Sequence, residues 1–241
     1  MSSECTQKIL VWWGLAMTAI YGAVLFFLLR MLPPPSAAWP AERVAQFYAD
    51  NSGAIKVGAV IASWTSAFMV PIAVVVAIQI ARHEKGRPVW SILAGISGSM
   101  MSIFLVLPPL FWGVAAFTPT RAPEITATVH ELGLPTLVTT DQYFVFIWVA
   151  VVVVCLVPNS VAHTPFPRWF GYFSGWVAVM FEVGAVAFLA KSGPFSWNGL
   201  LVFWIPLSAF GAWLIVMAVL LFRAINAQAA ERDDHPALVD A

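Results

Sequence analysis

The sequence predicts an all-α integral membrane protein: a compact bundle of six transmembrane helices with two short interfacial helices in the outer loops. Three observations carry this expectation. Six long apolar runs alternate with short polar stretches. Only 10% of the 241 residues are charged, against about 25% in soluble domains. Mean hydropathy is +0.85, with 61% hydrophobic residues, which leaves too little polar surface to face water. The runs far exceed the roughly 10 residues of a barrel strand, so the spans are expected to be helices.

The first run, Ile9–Leu29, follows Lys8. It can cross a hydrocarbon core of ~30 Å, which takes about 20 helical residues, and it is too long for the apolar part of a signal peptide. Pro33, Pro34 and Pro35 follow where a cleavage site would be small residues, so this run is expected to stay as the first membrane helix. Pro40 to Asp50 places Val44, Phe47 and Tyr48 on one face, with Pro40 where a helix can start. This is the first expected interfacial helix. The second run, Ile55–Ile80, carries Pro71, which is expected to kink it. The third, Val89–Phe117, has Ser91, Gly95, Ser99 and Ser102 at helical spacing, expected as a packing seam, and Pro108-Pro109 in its second half.

Pro123 to Gly133 repeats the amphipathic pattern with Ile125, Val129 and Leu132, giving the second expected interfacial helix. The remaining runs are Thr139–Val157, Trp169–Leu189 and Asn198–Ala224, the last containing Pro206. Residues 1–224 thus form the expected membrane domain. Residues 225–241, with Glu231, Asp233 and Asp234, form a polar tail expected to be disordered.

Lysine and arginine set the expected orientation. With both termini inside, Lys8, Arg82, Lys85, Arg87, Arg168, Arg223 and Arg232 face the cytoplasm, and Arg30, Arg43, Lys56, Arg121 and Lys191 face out. The basic loop Arg82 to Arg87 is the strongest local signal. The expected location is the plasma membrane, with both termini cytoplasmic.

Zero net charge argues against a nucleic-acid partner. Cys5 and Cys155 are far apart and form no CxxC motif. None of His83, His130, His163 and His235 falls within an apolar run, which argues against a buried bis-histidine haem. No lysine lies deep in a run, and no phosphate-cradling glycine loop appears. No metal or organic cofactor is implied.

Glu182 is the sharpest positive signal, an acid inside the fifth run. Leaving it unpaired in lipid costs several kcal/mol, so it is expected to face the bundle interior. Gly171, Gly175 and Ala178 share its face at helical spacing, and the GxxxG pair allows close helix approach. An acid there can donate or exchange a proton, although a structural acid bonded to a neighbouring helix reads equally well. Trp64, Trp112, Tyr143, Phe144, Phe203 and Trp204 sit at similar expected depth and are candidate walls of an apolar pocket, with belt and core packing as the alternative. Asp141 is a candidate second acid, although a helix cap explains it as well.

The leading expectation is a pocket for a hydrophobic small molecule or lipid, with acid–base isomerisation or cyclisation by Glu182 left open. The alternatives are a non-catalytic subunit of a larger membrane complex and a proton-coupled carrier. The latter would need a homo-oligomer to supply two related halves.

Overall fold

The computed structural model describes residues 2–140, 143–157 and 166–234, and no strand occurs among them. Among the described residues there are eight α-helices: α1 Ser3–Phe27, α2 Ala41–Thr65, α3 Met69–Ala81, α4 Val89–Phe117, α5 Pro123–Thr139, α6 Val145–Leu156, α7 Arg168–Glu182 and α8 Ile205–Asp234. Among the described residues, five helical stretches are long and apolar enough to cross a membrane: α1, the continuous Ala41–Ala81, α4, Arg168–Leu189 and Leu200–Glu231. This is the architecture of a multi-pass all-α membrane protein.

α1 starts where the Ser2 side chain accepts a hydrogen bond from the Cys5 amide, which caps the free amides of the first turn. It ends at Phe27, and a left-handed Arg30 (φ 55°) followed by prolines keeps the chain from continuing as helix. Pro40 then precedes Ala41 and starts α2.

The helix starting there does not lie as a separate interfacial element over Pro40 to Asp50. It runs on without a break through Asp50, Asn51 and Ser52. Those side chains do not act as caps. Asn51 Nδ2 donates to the Phe47 carbonyl (2.7 Å), Ser52 Oγ to the Ala116 carbonyl (2.9 Å), and Asp50 accepts from Gln46 (2.6 Å). With their polar atoms bonded along or across helices, no competing turn forms. The helix is interrupted only at Ser66–Phe68, a single 3-10 turn. Pro71 lies just beyond and cannot donate to the Ala67 carbonyl, so the backbone tightens locally.

α5 also corrects an expectation. It extends past Gly133 to Thr139 and packs along α4, with His130, Gly133, Leu134 and Val138 buried. Gly133 sits against the indole of Trp112 so closely that a Cβ there would overlap Nε1. The helix expected over Thr139–Val157 is only Val145–Leu156, 12 residues, or about 18 Å at 1.5 Å per residue. The break between α5 and α6 is held by Ser97. Its Oγ donates to the Tyr143 carbonyl (3.0 Å) and accepts from the Ile147 amide (3.2 Å).

α7 continues as a 3-10 segment, Val183–Leu189, and α8 is preceded by a π-turn, Leu200–Trp204. Pro206 therefore lies in the first turn of α8 and not at a kink within it. α8 runs to Asp234, so helix continues beyond Ala224, and Ile225 is fully buried. The rest of the expected tail lies outside the described residues.

Two ends of the bundle can be told apart. At the proximal end, buried Gln79 donates to Gln7 (2.7 Å) and Gln228 (2.9 Å), which joins α3 to α1 and α8. Arg82 adds a hydrogen bond to Gln79 and an ion pair with Glu231. Glu84 accepts from the Trp90 and Ser91 amides and so caps α4 there. At the distal end, Trp197 Nε1 donates to the Pro35 carbonyl (2.8 Å), and Lys191 pairs with Glu131 (3.3 Å). The stripe on α4 packs on α3 as expected. Ser91 Oγ donates to the Ala77 carbonyl (2.7 Å), and Gly95 and Gly98 face Ala77 and Ala73.

Candidate functional site: an apolar cavity where irregular helices meet

Backbone that departs from α-geometry at membrane depth leaves polar groups unpaired, so it is tolerated where protein buries it or where it borders a cavity. Four departures in this chain border one cavity of about 230 Å3. Phe68 comes from the 3-10 turn, and Thr140 and Phe144 from the α5–α6 break. Phe181 lines it from an α-helical turn of α7. Phe203 comes from the π-turn, with Pro206 just after it, and Met31 and Leu32 from the chain beyond the left-handed Arg30. Met101, Phe104 and Leu105 of α4 close the cavity from the side ahead of Pro108.

The lining is apolar, and its side-chain hydroxyls are already used. Tyr21 Oη donates to the Leu105 carbonyl (2.8 Å), Thr18 Oγ1 to Gly14 (2.8 Å) and Thr140 Oγ1 to Thr136 (2.7 Å). A ligand here meets hydrocarbon, aromatic rings and satisfied hydroxyls. Aromatic packing stiffens one wall: Phe144, Phe181 and Phe210 surround buried Trp148 and Trp213, and Trp213 Nε1 donates to Ser174 (2.9 Å).

Of the residues singled out from sequence, Phe144 and Phe203 line this cavity. Trp112 is fully buried, but against Gly133 of α5. Trp64 is 73% exposed and faces away from the bundle. Tyr143 is exposed and stacks on Phe104 (4.7 Å), and Trp204 is exposed beside Phe203. Glu182 is exposed, makes no hydrogen bond or ion pair among the described residues, and does not line the cavity. Asp141 lies outside the described residues.

The misplacement of Glu182 has a geometric cause. The buried face of α7 is centred on Phe170, Ser174 and Val177, with Gly171 and Ala178 on its shoulder. At 100° per residue, Glu182 stands about 110° from that centre. The small residues do admit a neighbour, since a Cβ on Gly171 would meet Cys155 and Leu156 of α6. The acid faces outward.

Sequence reasoning missed Tyr21, Phe68, Phe104, Phe181 and Phe210. A signal for part of the lining was present. Thr18, Tyr21, Gly22 and Leu25 follow an i, i+3, i+4, i+7 pattern on α1, as Phe203, Pro206, Leu207, Phe210, Gly211 and Leu214 do along α8.

A second cluster lies at the distal end. Tyr48 Oη and His130 Nδ1 share a 2.8 Å hydrogen bond, both residues are buried, and Trp197 meets the His130 ring edge-on. Among the described residues, His130 Nε2 and Trp112 Nε1 have no hydrogen-bond partner. No group of three or more His, Cys, Asp or Glu side chains arranged to hold a metal occurs among the described residues.

These features define the class: an all-α multi-pass membrane protein whose apolar helices enclose an aromatic-walled cavity. Comparison with protein-family models, with curated proteins and with solved structures found no match to this chain.

Proposed function

We propose that the protein crosses the plasma membrane six times and binds a hydrophobic small molecule or lipid in the cavity between its helices. The observation that carries this reading is the convergence of four backbone irregularities on one apolar space. Ligand sites in membrane bundles are built from interrupted helices of this kind, and an apolar lining with few free polar groups selects an apolar ligand. Among the described residues the lining offers no free acid or base, so the reading is of binding.

The test is retention of an apolar mass by the purified protein in native mass spectrometry. Met101→Trp, which fills the cavity from α4, should abolish retention. Ile92→Trp, on an exposed face of α4, should leave it unchanged. A wild-type protein that carries no apolar ligand and takes up none offered in excess overturns the reading.

One observation favours the subunit alternative. Glu182 shares an exposed face of α7 with Tyr172, Trp176 and Val179. A carboxyl group costs several kcal/mol if it faces acyl chains alone, and a partner helix with a donor at that depth would remove the cost. A photocrosslinker at Val179 should then trap a neighbour in native membranes, and Glu182→Leu should abolish the adduct.

A further inference from the structure

α1 and α8 run antiparallel. Near the proximal end they touch: Gln7 Nε2 donates to Gln228 Oε1 (3.3 Å), and the Trp12 and Phe222 rings lie 5.3 Å apart. The register these contacts set brings Gly22 to the level of Gly211 and Leu25 to that of Leu207. There both helices border the cavity. Both glycines have open space where a Cβ would stand, with no atom within 4 Å. Gly22, Leu25 and Gly211 are half-buried and Leu207 is exposed, so the cavity continues to the lipid-facing surface between these two helices. The proximal end is closed by the glutamine cluster, and the distal end by buried Met31 and the bond from Trp197 to Pro35.

Resting on the binding reading above, we infer that the ligand is an acyl chain of an anionic membrane phospholipid, inserted laterally from the bilayer between α1 and α8 at Gly22 and Gly211. A chain arriving from the bilayer meets a mainly apolar rim there: Phe26, Trp204 and Ile215 are exposed beside the lining, with the Ser208 hydroxyl on the same side of α8. The headgroup assignment rests on Arg30. It is exposed, has no ion-pair partner among the described residues, and stands about two helical turns beyond Gly22. Its left-handed backbone separates the end of α1 from Met31 and Leu32, which turn into the cavity. A phosphate held at Arg30 leaves one chain directed along the cleft. The empty space at the two glycines is what lets the chain pass, and it also makes the cleft easy to block.

The experiment uses the full chain reconstituted in vesicles that contain a phospholipid with a photoreactive group on its acyl chain, as phosphatidylglycerol or as phosphatidylcholine. Crosslinked peptides are mapped by mass spectrometry. Labelling is expected on the cleft segments around Gly22 and Gly211 and on interior Phe68 and Phe144. Gly22→Trp or Gly211→Trp should reduce interior labelling at least about tenfold, a barrier of ~1.4 kcal/mol or more. Labelling of exposed Ile92 and Ile96 should not change and serves as the control for folding and lipid content. Gly22→Leu provides a smaller block should the tryptophan variants fold poorly. Arg30→Gln should remove a preference for phosphatidylglycerol of about fivefold. Interior labelling that survives both cleft variants overturns lateral insertion and leaves the cavity reading intact. An interior that no lipid labels, in a protein that still retains an apolar small molecule, overturns the phospholipid assignment alone. Equal interior labelling by the two lipids overturns the headgroup assignment.

Discussion

His83 is the residue whose environment has the most direct measurable consequence. It lies buried just beyond α3 at the proximal end, with Nδ1 against the Gln79 carbonyl (2.7 Å) and its ring against Phe166. Burial lowers its pKa from the ordinary 6.5. In the unfolded chain it titrates at that ordinary value, so above pH 6.5 both states are neutral and its contribution to native stability is complete. As pH falls below 6.5 the unfolded state takes up the proton first, and that contribution is lost. His83→Gln should therefore make the fall of Tm below pH 6.5 in detergent shallower than in the wild type. Equal slopes in the two proteins would contradict the burial of the ring. His130, buried against Tyr48 and Trp197, lies inside the bundle. None of this was visible in the sequence, where His130 falls in a polar loop pattern. Its burial arises because Gly133, one turn on, lets α5 press onto Trp112.

At the level of helices, Ser97 carries the junction between α5 and α6. It supplies both a donor and an acceptor to backbone groups at the start of α6. Ser97→Ala should leave the Tyr143 carbonyl without this donor and the Ile147 amide with only the Phe144 carbonyl (3.2 Å), at a cost of about 1–3 kcal/mol. The expected result is a lower Tm together with loss of the cavity ligand, because Thr140 and Phe144 are positioned by that junction. An unchanged Tm would mean that another group satisfies the break.

The long apolar helices were legible from hydropathy. α1, α4 and the α7 segment lie close to where the apolar runs place them. The α5–α6 pair was not legible, because α5 carries Glu124, His130 and Glu131 on a helix that packs into the bundle. Its polar residues suggested an interface, whereas burial depends on partners that hydropathy does not see. α2 was misjudged for a related reason. Asp50, Asn51 and Ser52 resemble a helix start, but which carbonyl each side chain bonds is decided by the packing of α2 on α4. The cavity was half legible. Phe144 and Phe203 were found by depth, but depth carries no azimuth, so Trp64 and Glu182 were grouped with them although both are exposed.

The molecule as a whole is constrained by which end each helix reaches. α1 starts and α8 finishes at the proximal end, joined by the glutamine cluster. α4 starts there under the Glu84 cap and reaches the distal end, where the Ala116 carbonyl accepts from Ser52. Phe166, at the entrance to α7, packs on His83 (5.7 Å) and so belongs to the proximal end again. Between Phe117 and Phe166 the chain must come back, and α5 followed by α6 is the segment available to do it. Neither is long enough alone. On the six-crossing reading proposed above, the two together return the chain through the break that borders the cavity. Single cysteines introduced after replacing Cys5 and Cys155 test this directly. Lys85→Cys and Arg168→Cys should be shielded from an impermeant maleimide in intact cells and react after permeabilisation, as the basic loop Arg82 to Arg87 directs. Thr120→Cys and Ser192→Cys should react in intact cells. If all four patterns are inverted, the six crossings hold and the orientation is reversed. If Lys85→Cys and Arg168→Cys react from opposite sides, α5 and α6 do not form a crossing, and the cavity they border is not the centre of a six-pass bundle.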